Sequence, residues 1–285
     1  MHGIINVYKP SGMSSNFVLT LLKRNLGIKK LGHLGTLDPL ACGVLPVMVN
    51  KGTKLFNFYL NKTKVYRAIF TFGKETDTLD SEGKIIKTSN KIPTLEEIEE
   101  KIKNFIGKIN QMPPNFSAKK INGKKAYDLA RNGETFELKP KKVEIYYFNL
   151  ISQINENSFL FEIKCSSGTY IRSIARDLGI ALDSCAFMSA LIRTESGEFN
   201  ILNSTCVLDL TKTNVFDKLI KLESLLKILK CVDVDTKLEK QISNGVKLFI
   251  NQGDQDDIVV YCNNKLVGIG KIENKTLSIK TNLQN

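Results

Sequence analysis

Apolar positions fall into short, well-punctuated segments that switch between the periods of strand and helix. Gly3–Lys9 reads as a first strand, and the continuous apolar run 43–49 as a buried one. Between them, Ser14 and Ser15 are candidate N-caps for a helix through Leu26 that Gly27 closes, with Phe17, Val18, Leu21 and Leu22 as its apolar stripe. Residues 53–60 suggest a short helix. Residues 65–72 alternate as a strand does, placing Tyr66, Ala68, Phe70 and Phe72 on one side. Residues 73–83 read as a polar loop.

Further along, Thr94-Leu95-Glu96-Glu97 is a capping box that opens a helix burying Ile98, Ile102, Phe105 and Ile106, ended by Gly107. Asn122-Gly123 marks a tight turn, and residues 126–131 a short helix stopped by Gly133. Two paired strands are expected at 143–154 and 158–166. A helix follows over 169–178, with Ile171, Ile174, Ala175 and Leu178 as its packed face, and another over 215–230. From Cys231 the texture changes to short strand-like runs (258–262, 266–272, 277–279) separated by Asn and Gly. The pattern predicts an α+β fold with a substantial sheet, divided into a domain over 1–230 and a small β-rich module over 231–285. Strict β-α-β alternation is missing, which disfavours a doubly wound fold.

Composition narrows the function. A chain of 285 residues, 42% hydrophobic and 25% charged, is an ordinary globular length and mixture for about two domains. No apolar run approaches the roughly 18 residues of a membrane span, and the N-terminus lacks a secretory pattern, so the expected location is cytoplasmic. The net charge of +12 and pI near 9.3 call for a polyanionic partner, nucleic acid or an anionic membrane surface. The cations are 35 Lys and only six Arg, which favours diffuse phosphate attraction over planar bidentate contacts. None of the six Cys forms a C-x-x-C pair, and His2 and His33 are the only histidines, so no structural zinc site is expected. A Walker loop and a G-x-S-x-G elbow are both absent from the sequence.

The chemistry concentrates in residues 32–46, G-H-L-G-T-L-D-P-L-A-C-G-V-L-P. One carboxylate, Asp38, lies among glycines that permit unusual backbone and beside Pro39, which pushes it towards an extended conformation. A turn Asp bonding its own backbone is the plain alternative. Four more segments are ambiguous singly. Residues 9–15 read as a strand-to-helix turn with a capping Ser. Tyr66 lies on a strand before an acidic loop. Gly168-Thr169-Tyr170-Ile171-Arg172 leads into a helix whose Arg172 and Arg176 are either solvated charges or, at the helix N-terminus, a holder of carboxylate or phosphate. Residues 188–193 read as a packing segment with an exposed Arg193. Together these residues suit a carboxylate nucleophile acting on a flipped nucleobase or sugar.

In order, these motifs resemble the TruB family of bacterial pseudouridine synthases. The resemblance is carried by residues 9–15, by 32–46, and by Lys64-Val65-Tyr66 with Gly73, Thr76, Thr78, Asp80 and Gly83. It continues through Pro113-Pro114, Ser117-Ala118, Gly123, Tyr127, Ala130-Arg131 and Gly133, then residues 168–172 and 176–179. The chain departs from the pattern at Ser14 (usually Thr), Asn50 (usually Gly), Phe187 (commonly His) and Ile192 (usually the first of two Arg).

The resemblance implies a pseudouridine-synthase catalytic domain with a mixed, mainly antiparallel sheet flanked by helices, and a PUA-like RNA-binding module at 231–285. It implies isomerisation of uridine 55 in the tRNA T loop, with no cofactor and no metal. Asp38 is then the nucleophile, paired with Arg172. Tyr66 stacks on the flipped uracil, Tyr170 and Leu191 line the pocket, and His33 fills the space the base leaves. The expected partner is the T arm of tRNA, without a guide RNA or a membrane, and the expected state is a monomer. The start of the chain close to its first motif favours the stand-alone enzyme over the related guide-RNA-dependent type. A non-catalytic RNA-binding protein is the other rival, against which Asp38, Tyr66 and Arg172 all stand intact.

Overall fold

The computed structural model describes residues 1–60, 62–117, 120–121, 123–125, 127, 129, 134 and 136–284. Strand β1 (Gly3–Lys9) turns through Pro10 into helix α1 (Ser15–Leu26). Ser14 caps α1 by accepting the Phe17 N–H, and Gly27 ends it at φ 70°, a conformation that suits glycine. The expected stripe is narrower than predicted. Val18 and Leu22 are buried and Leu21 packs partly against the core, but Phe17 is 51% exposed.

Strands β2 (Leu31–His33) and β3 (Cys42–Val49) follow. The expected helix at 53–60 is a 3-10 turn (Asn50–Leu55) that becomes α2 (Phe56–Leu60). Asn50 takes φ 51° and donates Nδ2 to the Met1 carbonyl at 2.7 Å. Asn tolerates this left-handed backbone better than most residues, which accounts for its place where Gly is usual.

Strand β4 (Lys64–Phe72) is one residue longer than predicted. Part of the polar loop after it is a hairpin, β5 (Lys74–Thr76) against β6 (Ile85–Thr88). The capping box opens α3 (Leu95–Ile102), where Ile98 and Ile102 are buried. Ile106 is 48% exposed, since the chain leaves the helix before reaching it. Strand β7 (Gly107–Gln111) and the ribbon β8 (Lys120–Ile121) with β9 (Lys124–Lys125) come next. Gly123, at φ 85°, joins the ribbon; of the expected helix at 126–131 only Tyr127 and Leu129 are described, both helical, and Asn122 and Gly133 lie outside the described residues.

Strands β10 (Lys141–Asn155) and β11 (Ser158–Cys165) pair as predicted and lead to α4 (Ile171–Ala181). The packing segment at 188–193 is the middle of a long strand, β12 (Ala186–Ser196), inserted between β3 and β4. Short strand β13 (Phe199–Asn200) pairs back on β12, and β14 (Thr205–Cys206) forms the sheet's far edge on β1. The helix expected at 215–230 is broken into α5 (Val215–Lys218) and α6 (Leu222–Leu225) by strand β15 (Leu219–Lys221), which pairs with β1. Pairing with an open strand edge there outweighs helix propensity.

Eleven strands among the described residues form one mixed, mainly antiparallel sheet in the order β14-β1-β3-β12-β4-β11-β10-β7; β2, β13 and β15 attach at its side. Only β1–β14 and β3–β12 pair in parallel. One face packs on α1, α3 and α4 through Val18, Leu22, Ile98, Ile174 and Leu178, against Leu45, Phe70, Phe161 and Met188.

The C-terminal segment forms a second sheet, β16-β18-β19-β20-β17, from β16 (Cys231–Val234), β17 (Leu248–Phe249), β18 (Gln255–Cys262), β19 (Lys265–Glu273) and β20 (Thr276–Asn282), with helix α7 (Glu239–Ser243) beside it. This sheet shares a core with the other face of the large one. Val259, Ile269 and Leu283 pack with Ile4, Val44, Met48, Leu55 and Tyr59. Lys51 and Lys54 donate across the junction to the carbonyls of Leu283 (3.2 Å) and Asn282 (2.6 Å).

Candidate active site

The Asp38 loop is held by the segment after β1. Lys9 is fully buried, and its ammonium donates to the carbonyls of Pro10 (3.0 Å), Met13 (2.6 Å) and Pro39 (3.2 Å). Ser15 Oγ donates to the Leu37 carbonyl at 2.9 Å and accepts the Leu37 N–H at 2.8 Å. Ser11 and the Gly12 N–H bind the carbonyls of Leu40 and Pro39. Residues 9–15 therefore do more than turn the chain: they fix the backbone on both sides of Asp38.

The carboxylate of Asp38 turns to Arg172, with Oδ2 3.0 Å from Nη2. The plain alternatives for these two residues are thus set aside. Arg172 is 6% exposed rather than solvated. Its guanidinium donates to the carbonyls of Thr78 (2.8 Å) and Phe116 (3.0 Å) and reaches a second carboxylate, Asp80 Oδ2, at 3.4 Å. Asp80 is buried and accepts from Thr78 Oγ1 and the Glu82 N–H. Leu79, between Thr78 and Asp80, takes φ 63°, a strained value for a bulky residue. The strained turn aims the Thr78 carbonyl and the Asp80 carboxylate at one guanidinium. Arg176 lies aside, bonded to Asp177 and the Met112 carbonyl.

Asp38, Tyr66, Tyr170, Arg172 and Leu191 line one cavity of about 240 Å³, with Thr36, Lys64, Thr169 and Arg193 among its other walls. That is smaller than the roughly 300–1,000 Å³ of drug-sized sites and suits one flat base with its sugar. His33 does not line it. It lies on β2, where burial and the Arg193 charge push its imidazole below the usual range. Tyr66 faces Arg193 directly across the β4–β12 pair. Burial pushes the Tyr66 and Tyr170 hydroxyls up.

Arg193 is the clearest departure from expectation. It is 0% exposed, donating Nε to the Val44 carbonyl (2.7 Å) and Nη2 to the Gly35 carbonyl (3.1 Å). Backbone carbonyls of β3 and of the loop before Asp38 take up its guanidinium, which therefore turns inward rather than to solvent. Two cues were available in the sequence. Lys64 and Tyr66 are two apart on a strand, as are Leu191 and Arg193, and residues two apart share a face.

The large sheet has a known counterpart. The chain superposes with TM-score 0.72 and 23% identity on a chain of the H/ACA ribonucleoprotein bound to a substrate RNA containing 2′-deoxyuridine, covering 99% of this chain and 85% of that one. The sequence relatives define the class, an RNA pseudouridine synthase, which is an isomerase. Residues 23–171 match the family model described as TruB family pseudouridylate synthase, N-terminal domain. The chain is 42% identical to tRNA pseudouridine synthase B of Clostridium novyi (98% of this chain, 99% of that one). It is 40% identical to that of Caldanaerobacter subterraneus, over 98% of both. The chain belongs to the TruB family.

Proposed function

We propose that the protein converts uridine 55 of the tRNA T loop to pseudouridine, acting alone, with Asp38 as the nucleophile. The observation that carries this reading is the Asp38–Arg172 pair facing Tyr66 in a nucleoside-sized cavity of a strongly basic chain. The relatives named tRNA pseudouridine synthase B match it over nearly their whole length, which supports tRNA as substrate.

The reaction moves the bond at ribose C1′ from uracil N1 to C5. Nothing enters or leaves, apart from exchange of a ring proton. Asp38 attacks and is later released, which divides one hard exchange into easier steps. Arg172 positions Asp38. Tyr66 stacks on the extruded base, offsetting part of the few kcal/mol that unstacking costs. Tyr170 and Leu191 complete the walls, and His33 fills the gap left in the T loop. Surface Lys residues follow the phosphates, so affinity falls steeply with salt.

Residues 231–285 serve as an RNA-binding module of a cytoplasmic, monomeric enzyme that needs no guide RNA, cofactor or metal. No helix among the described residues is long and apolar enough to cross a membrane.

The test is tritium release from tRNA labelled at uracil C5, with purified protein alone and the modified position mapped. Release confined to the T-loop uridine is expected. Tight binding without release would favour an RNA-binding or guide-dependent protein instead.

A further inference from the structure

Two cations of the cavity are left over once Asp38 and Arg172 have their roles. Lys64 on β4 is 7% exposed and Arg193 on β12 is 0% exposed, and both line the cavity. Lys64 Nζ donates to the Lys62 carbonyl at 3.1 Å. Arg193 uses Nε and Nη2 on backbone carbonyls, while its buried Nη1 has no hydrogen-bond partner. Among the described residues no carboxylate forms an ion pair with either side chain. Both Asp38 and Asp80 are directed at Arg172.

Adjacent buried cations without a carboxylate are costly to desolvate. Such a pair is matched when negative charge arrives beside it. The reaction generates that charge. When the bond from C1′ to N1 breaks, its electron pair stays on the ring, and the uracil becomes an anion spread over N1, O2 and O4. The charge disappears when C5 bonds to C1′, the C5 proton leaves to solvent and N1 takes up a proton.

The placement fits. Lys64 and Tyr66 share a face of β4, and Arg193 stands opposite Tyr66, so a ring stacked on Tyr66 has its edge towards both cations. We propose that Lys64, backed by Arg193, is a cationic wall that stabilises the departing uracil as an anion, an inference that rests on the function proposed above. Burial and the Arg193 charge push the Lys64 ammonium down to about 8, so it is charged at neutral pH and more firmly so once an anion forms. Charge developing in a preorganised, water-poor site is where such groups act most strongly.

The experiment is single-turnover kinetics with Lys64→Met and Lys64→Gln on two tRNAs. One carries tritiated uridine at the target. The other carries 5-fluorouridine there, followed by nuclease digestion and mass spectrometry of the rearranged nucleoside. Fluorine withdraws electrons and stabilises the ring anion by itself. Both variants are expected to fold, since each removes an uncompensated buried charge. They should bind tRNA within about twofold of wild type and react with uridine about 10²–10³-fold more slowly. Their loss on 5-fluorouridine should be at least about tenfold smaller.

A native rate in either variant would overturn the proposal. So would equal slowing on both substrates, which would mean positioning, or weakened binding with an unchanged bound rate, which would mean a phosphate contact. A wild-type protein that releases no tritium would instead remove the proposed function itself.

Discussion

The two sides of the cavity handle charge in opposite ways. On one side Asp38, Arg172 and Asp80 form a chain of alternating charge, braced by the Thr78 and Phe116 carbonyls. On the other, Lys64 and Arg193 are buried without a carboxylate. The first arrangement is balanced before substrate arrives and works by holding geometry. The second is unbalanced in the empty site, so it acts on charge that appears only during reaction. One cavity thus separates positioning from electrostatic stabilisation, and substitutions on the two sides should fail differently.

The largest effect is expected from Asp38→Asn on the balanced side. Turnover should fall by at least about four orders of magnitude with tRNA affinity unchanged, as single-turnover tritium release and filter binding would show. Appreciable residual turnover would remove Asp38 as nucleophile and blur the division. Asp80→Asn should have a smaller effect, slowing the bound-state rate about 10²-fold, because Arg172 loses one of its two carboxylates and Asp38 is aimed less well. Its loss should be the same on uridine and on 5-fluorouridine tRNA, unlike that of the Lys64 variants.

Lys9→Met, beneath the Asp38 loop, removes three donors to backbone carbonyls. It should lower the thermal midpoint by roughly 5 °C and turnover by about tenfold.

The smallest effect lies on the unbalanced side and concerns stability alone. The Lys64 ammonium is pushed down to about 8 in the folded protein from 10.5 in the open chain. Between those values the unfolded chain binds more protons, so this lysine's destabilising effect is full below pH 8 and relieved as pH rises through the window. Urea melts should show Lys64→Met more stable than wild type at pH 7, with the gap narrowing by pH 10. A constant gap would mean that Lys64 carries no burial penalty.

Much of the site was legible because local rules coincide with it. The capping Ser14 and closing Gly27 bound α1 where expected. Alternation over β4 placed Tyr66 inward, and the helical period put Ile171, Ile174 and Leu178 on the packed face of α4. Asp38 stood out through the glycines and proline around it. Asp80 as a second partner of Arg172 was not legible, because Leu79 adopts a left-handed backbone that its residue type disfavours. Strand β12 was missed because two register shifts interrupt its alternation. With it went the burial of Arg193.

The short-range features were thus legible along the chain: caps, turns, most strand and helix positions, the prominence of Asp38 and the basic character. These follow from backbone sterics, side-chain period and residue chemistry, each acting over a few positions. Which charges meet depends on the closed fold. Arg172 lies 134 positions from Asp38, Arg193 pairs across strands with Tyr66, and the C-terminal sheet shares its core with β1 and β3. Whether a cation is solvated, paired or buried alone depends on which strands close around it, and strand pairing over such distances is a property of the whole sheet.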